Sequence, residues 1–81
     1  MEKKDILAII QDAMADIAPE AEWDDVQADE NLREQLDIDS MDFLNFLEAL
    51  QSKTRITIPE TDYEKVETLN QLVNYVADRM T

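Results

Sequence analysis

The sequence predicts an all-α fold: a small antiparallel bundle of three long helices and one short helix, with a long first loop. Three observations predict it. Apolar residues recur at helical spacing in three separate segments, the chain contains no Gly, and its 81 residues suffice for one compact domain but not two. Residues 1–81 are accordingly read as a single domain. Without Gly, tight hairpins and phosphate-cradling loops lose their usual residue. Apolar side chains make up 44% of the chain, which places it in the globular class and not the disordered one.

The first helix is expected from about residue 3 to Ile17. Ile6, Ile10, Met14 and Ile17 share one face, with Leu7 and Ala13 beside them. Pro19 stops it, because proline disfavours helix in the residue before it and has no N–H to donate. Residues 20–39 are polar and lose clear periodicity. A structureless stretch of that length is uncommon in a compact domain, so the loop needs anchors or a function. Trp23, Val26, Leu32, Leu36 and Ile38 are suitable anchors, and residues 31–35 fit a short helical turn.

The second long helix carries a broad apolar stripe of Met41, Phe43, Leu44, Phe46, Leu47 and Leu50, ending near Lys53. Residues 55–58 alternate like a strand but have no evident partner strand. Pro59 suits the first position of a short helix through Lys65. Thr68 with Gln71 three residues later forms the pattern of a capping box. It opens a last helix in which Leu69, Leu72, Val73, Val76 and Met80 repeat at i, i+3, i+4, i+7 and i+11.

Composition excludes several functions. There is no Cys, so disulfides and thiolate metal sites are ruled out and a reducing compartment fits. There is no His, which removes the commonest general base and metal ligand. The opening residues run into a helix interrupted by Asp12 and Asp16 with no long apolar run, so neither a signal peptide nor membrane insertion is expected. The expected location is cytoplasmic. The net charge is -13, and it is unevenly spread: within residues 5–52 Arg33 is the single base against 14 acids. Such a field repels nucleic acid and anionic lipid and steers partners that present basic patches. The same charge also serves solubility, and charge alone does not choose between these roles.

The most informative residues lie where the long loop meets the second long helix. Ser40 follows Asp39 and immediately precedes the apolar stripe. Asp39 can cap free backbone N–H groups, and Asp42 strengthens the first turn through the helix dipole. Read by position, Ser40 is either a cap or first-turn residue or a hydroxyl presented at the positive end of a helix. A phosphodiester attached there gains from the helix N-terminus, while Asp39 and Asp42 oppose it by like-charge repulsion.

The run Asp37-Ile38-Asp39-Ser40-Met41-Asp42-Phe43-Leu44 closely resembles the Asp-Ser-Leu modification site of acyl carrier proteins. The resemblance extends over nearly the whole chain, including Ile56-Thr57-Ile58-Pro59 before the short helix and Thr68-Leu69 opening the last one. It implies that Ser40 accepts 4'-phosphopantetheine from coenzyme A through a separate phosphopantetheinyl transferase. The arm's terminal thiol then holds acyl groups as thioesters for acyl-transferring or condensing enzymes, and the protein is a monomeric carrier and not an enzyme. The resemblance also points to an acidic docking surface, here Glu34, Asp37, Asp39, Met41, Asp42 and Glu48, facing basic patches on partners. Phe46, Leu47, Leu50 and Val73 read as core first, with lining an acyl pocket as a second role.

The chain departs from the family pattern at four places. Asp37 stands where the family often has Gly, Met41 where it often has Leu, and Asn45 where an acidic residue is common. Thr54-Arg55 replaces a Phe-Gly pair. None of these removes the attachment hydroxyl, and together they suggest a specialised carrier.

The same residues admit three rival readings. Asp37, Asp39 and Glu48 match positions 1, 3 and 12 of a calcium loop, but Met41 is a poor ligand at position 5 and Asp42 replaces the turn Gly at position 6. A carrier-like acidic domain that is never modified is an open alternative. A Ser40 nucleophile has no His to activate it.

Overall fold

A computed structural model describes residues 2–80. Four α-helices occur among them: α1 (Lys3–Ala15), α2 (Leu32–Leu36), α3 (Ser40–Thr54) and α4 (Leu69–Met80). A 3-10 turn covers Trp23–Asp25, and a 3-10 helix covers Glu60–Lys65. The fold is all-α, as the periodicity predicts, with α1, α3 and α4 as the long members of a small bundle in which α1 packs against both others.

The core follows from the helical stripes. Ile6, Ile10, Ala13 and Met14 of α1 meet Phe43, Phe46, Leu47 and Leu50 of α3 and Leu72, Tyr75 and Val76 of α4. Burying side chains of this size contributes roughly 1.5–3 kcal/mol each against the entropy of ordering the chain. Val73 and Leu69 are half-buried at the edge of the core and not inside it. Tyr75, which the aliphatic repeat of α4 passes over, is buried instead.

Helix α1 ends two residues before the expected Ile17. The N–H groups of Ile17 and Ala18 both reach the Met14 carbonyl, at 3.0 and 2.8 Å, so the chain tightens out of the α-helix ahead of Pro19. The long loop is anchored as expected: Leu32 is fully buried, and Trp23, Val26, Leu36 and Ile38 pack against the core. The expected turn at residues 31–35 is α2, shifted by one residue because Asn31 acts as its cap.

Residues 55–58 form no strand. Ile56 and Ile58 point into the core while Arg55 and Thr57 are exposed, so the period of two is real. Side chains satisfy the backbone instead: Ile56 N–H donates to Thr54 Oγ1 (3.3 Å) and Ile58 N–H to Gln51 Oε1 (3.0 Å). Among the described residues the only ladder-type pairing is an isolated antiparallel bridge between Asn31 and Thr68. There the Leu32 N–H donates to the Glu67 carbonyl at 2.8 Å, tying the loop to the start of α4. The short helix after Pro59 is 3-10, with Pro59 just outside it in an extended conformation and not at its first position.

The capping box is complete. Gln71 N–H donates to Thr68 Oγ1 (3.1 Å), and Gln71 Oε1 accepts from Thr68 N–H (3.1 Å) and Glu67 N–H (3.2 Å). Two described residues have positive φ, Asp37 (54°) and Arg55 (61°). These are the two positions where the resembled family often carries glycine, and each ends a helix.

Candidate functional site

The approach to Ser40 is built by a short helix and a sharp turn. Asn31 Oδ1 accepts from Glu34 N–H at 3.0 Å and starts α2. Asp37 ends it in the left-handed region (φ 54°, ψ 45°), a conformation Asp tolerates better than most residues. Its N–H reaches the Glu34 carbonyl (3.3 Å), and the Ile38 N–H reaches the Arg33 carbonyl (3.2 Å). The chain then enters Asp39, extended at φ -86° and ψ 178°, which is the N-cap of α3.

Asp39 takes the capping role that position alone left open to Ser40. Its Oδ1 accepts from Asp42 N–H at 2.8 Å. Ser40 is therefore the first helical residue, exposed, and among the described residues nothing hydrogen-bonds its hydroxyl. Asp39, and not Ser40, performs the local structural work.

Ser40 opens on a groove of about 310 Å³. Phe43 and Leu44 of α3 and Tyr63 of the 3-10 helix give it an apolar lining, and Asn31, Arg33, Glu60, Glu64 and Glu67 surround them. Phe43 continues into the core through Phe46, with ring centroids 5.8 Å apart and planes inclined at 43°. The 3-10 wall contributes no buried residue of its own and is held from behind by Asp62. The Tyr75 hydroxyl donates to Asp62 Oδ2 at 2.6 Å, and Lys65 Nζ and Arg79 Nη2 lie 3.4 and 3.6 Å from the same carboxylate. The Arg79 guanidinium also sits 3.6 Å from the centre of the Tyr75 ring. The Tyr75 hydrogen bond, aided by Lys65 and Arg79, holds the Asp62 carboxyl below its ordinary range. Burial, then the bond to Asp62, pushes the Tyr75 hydroxyl up.

Of the residues the sequence points to, Asp37, Asp39, Ser40 and Met41 come together at the start of α3, all exposed, with Glu34 one turn back in α2. Met41 is 64% exposed and stands as a lone large apolar group on this acidic surface, so it is not part of the core stripe. Glu48 follows Met41 by seven residues, which puts it on the same exposed strip about 10 Å along the helix. Asp42 is half-buried and turns instead toward a second depression, of about 600 Å³, shared with Asp37, Asp25 and Glu22.

The core-first reading holds for three of the four residues it named, and Val73 lies at the edge. Phe46, Leu47 and Leu50 are fully buried, and Val73 lines a separate depression with Lys3, Lys4 and Leu7. The residues beside Ser40 that sequence reasoning passed over are Arg33 and Tyr63. Each carried a signal: Arg33 is the one base in a long acidic stretch, and Tyr63 is the one aromatic in the polar run 60–65. Among the described residues, no group of three or more Asp or Glu side chains is placed to hold a metal ion.

Taken together, a small helical domain presents an unengaged hydroxyl at a helix start and has no His to activate it. An exposed helix-start hydroxyl of this kind is a position where a group can be attached. Comparison with known proteins agrees. The family model described as the phosphopantetheine attachment site matches residues 5–76. The chain is 31% identical to an acyl carrier protein of Rubrobacter xylanophilus over 81 residues, covering 100% of this chain and 99% of that one. It is 32% identical to an acyl carrier protein of Chlamydia trachomatis over 75 residues, 93% and 91% of the two chains. With an acyl carrier protein of Lactobacillus acidophilus the identity is 30% over 76 residues, 94% of each. The chain belongs to the acyl carrier protein family, whose cofactor is phosphopantetheine.

Proposed function

We propose that Ser40 is the residue that bears the 4'-phosphopantetheine arm, and that a separate phosphopantetheinyl transferase places it there from coenzyme A. The observation that carries this reading is the exposed Ser40 hydroxyl, unengaged among the described residues while Asp39 caps the helix. In the transfer the Ser40 oxygen bonds to phosphorus, the nucleotide part of coenzyme A leaves, and the hydroxyl proton passes to the transferase. This chain supplies the acceptor and its orientation. The surroundings fit the group: the hydroxyl faces an open groove, no described side chain bonds it, and the α3 N-terminus lies beneath it. When attached, the arm supplies a thiol that holds acyl groups as thioesters.

The docking surface proposed for the transferase and for acyl-transferring or condensing enzymes is the rim around Ser40. Glu34, Asp37 and Asp39 give it charge, Met41 an apolar centre, and Glu48 a more distant acid on the same strip. Asp42, half-buried, contributes less. No described helix is long and apolar enough to cross a membrane, and we take the protein to act as a cytoplasmic monomer that meets its partners transiently.

The test is intact mass after incubation with a broad-specificity transferase, magnesium and coenzyme A. One phosphopantetheine addition is expected, absent from Ser40→Ala. Failure of the parent protein to load with several active transferases favours the unmodified docking domain.

A further inference from the structure

An arm on Ser40 places a phosphodiester anion among like charges. Asp37, Asp39 and Asp42 all lie within three residues of the hydroxyl, and repulsion at that range needs a counter-charge. The α3 N-terminus offers part of one, but Asp39 already occupies the Asp42 N–H.

The groove beside Ser40 contains one cation. Arg33 lines it together with Ser40, and its side chain is exposed. Glu60, Glu64 and Glu67 line the same groove, yet among the described residues Arg33 forms no ion pair with any of them. Several other cations are committed elsewhere: Lys53 to Asp12, and Lys65 and Arg79 to Asp62. The placement of Arg33 is fixed by backbone bonds. Its carbonyl accepts from Ile38 N–H at 3.2 Å, which folds the turn carrying Arg33 against the residues leading into Ser40.

We propose that Arg33 is the counter-ion for the phosphodiester on Ser40, a positioning residue that holds the root of the arm in the groove. This rests on the reading that Ser40 carries the arm. A guanidinium suits the role, because it stays charged and offers paired N–H donors that match phosphate oxygens. The remaining acids of the rim are thereby left to partner enzymes and not spent in repelling the arm.

The experiment compares apo and loaded protein, with loading verified by intact mass. In 15N-edited spectra the Arg33 Nε–Hε signal is expected to move on loading, while those of Arg55 and Arg79 stay as internal references. The phosphorus resonance of the loaded parent is expected to differ from that of loaded Arg33→Gln, with Arg33→Lys between them. Arg33 is exposed and uninvolved in the core, so both variants should melt as the parent does in the apo form. A loaded protein in which the Arg33 signal moves no more than the other two, or in which Arg33→Gln leaves the phosphorus resonance unchanged, overturns the role of Arg33 while the attachment reading stands. A parent that never loads overturns both.

Discussion

Ser40 and Thr68 are both hydroxyl residues at the start of a long helix, and their surroundings differ. Thr68 is an N-cap: its oxygen accepts from Gln71 N–H at 3.1 Å, and Gln71 returns the bond to Thr68 N–H. Ser40 sits one position further in, at the first helical residue, and Asp39 does the capping at 2.8 Å. Thr68 is half-buried and Ser40 exposed. The difference teaches what separates a structural hydroxyl from one left free for modification. A serine whose oxygen closes a helix cannot be modified without opening that helix, whereas a serine behind an aspartate cap is free to take a substituent.

The largest expected effect tests the functional side of that contrast. Ser40→Ala should abolish phosphopantetheine addition completely while changing stability by no more than about 0.5 kcal/mol, as for an exposed residue with no partner. The parallel Thr68→Ala should load normally. Intact mass and a denaturant titration on the two variants read both quantities. A Ser40→Ala protein that loses about 1 kcal/mol or more of stability would show that its hydroxyl is structural after all.

The next effect tests the structural side. Asp39→Ala and Thr68→Ala each remove a cap and should each lose about 1 kcal/mol in a urea titration. They should separate in the loading rate. Asp39 belongs to the proposed transferase surface, so its removal slows modification, and that deficit should shrink in high salt, where charge steering is screened. Equal loading rates for the two variants would remove Asp39 from the docking surface and leave it only the cap.

Most of this contrast was not legible in the sequence, and the reasons are physical. The Thr68–Gln71 box was legible because both partners lie within one turn, at a spacing that fixes who bonds whom. At Asp39-Ser40 two adjacent residues are both competent caps, and sequence order does not say which is extended and which helical. The helices themselves follow from apolar spacing, and α1, α3 and α4 lie where that spacing puts them. Tyr75 escaped because its hydroxyl makes burial costly unless a partner exists, and that partner, Asp62, is 13 residues away on another element. The groove escaped for a related reason: α2 and the 3-10 helix flank Ser40 because Leu32 bonds Glu67, a pairing with no local signature. Arg33 was visible as a lone base, but only the folded chain puts it beside the serine.

A smaller effect concerns the two ends of α3 itself. The Ser40 end begins after Asp37 and the far end closes at Arg55, both with positive φ. An L-residue in this region costs roughly 1 kcal/mol relative to Gly, and Asp bears it better than Arg. Adding Gly loosens the unfolded chain, which takes back about half of the gain. Arg55→Gly should therefore stabilise by about 0.5 kcal/mol, and Asp37→Gly by less. Chemical denaturation checks the order, and the reverse order would mean that Asp37 is the more strained turn.

The smallest effect is a pH dependence at the 3-10 wall of the groove beside Ser40. Asp62 is held below the ordinary carboxylate range, chiefly by the Tyr75 hydroxyl. A depressed folded pKa gives a contribution that is complete above the unfolded value, about 4, and is lost as pH falls through the lower folded value. Tyr75→Phe removes the chief cause, so parent and variant should differ in melting temperature near neutrality and converge once the pH falls well below about 4. Comparing the two cancels the many other carboxylates that titrate in the same window. Near neutrality, amide exchange in Tyr75→Phe should rise at residues 60–65, the wall held by Asp62, and stay unchanged at residues 39–42, where no such lock exists. A melting difference that persists unchanged into acid would place the worth of Tyr75 in its packing and in Arg79 across its ring, and would leave the carboxylate only a bystander.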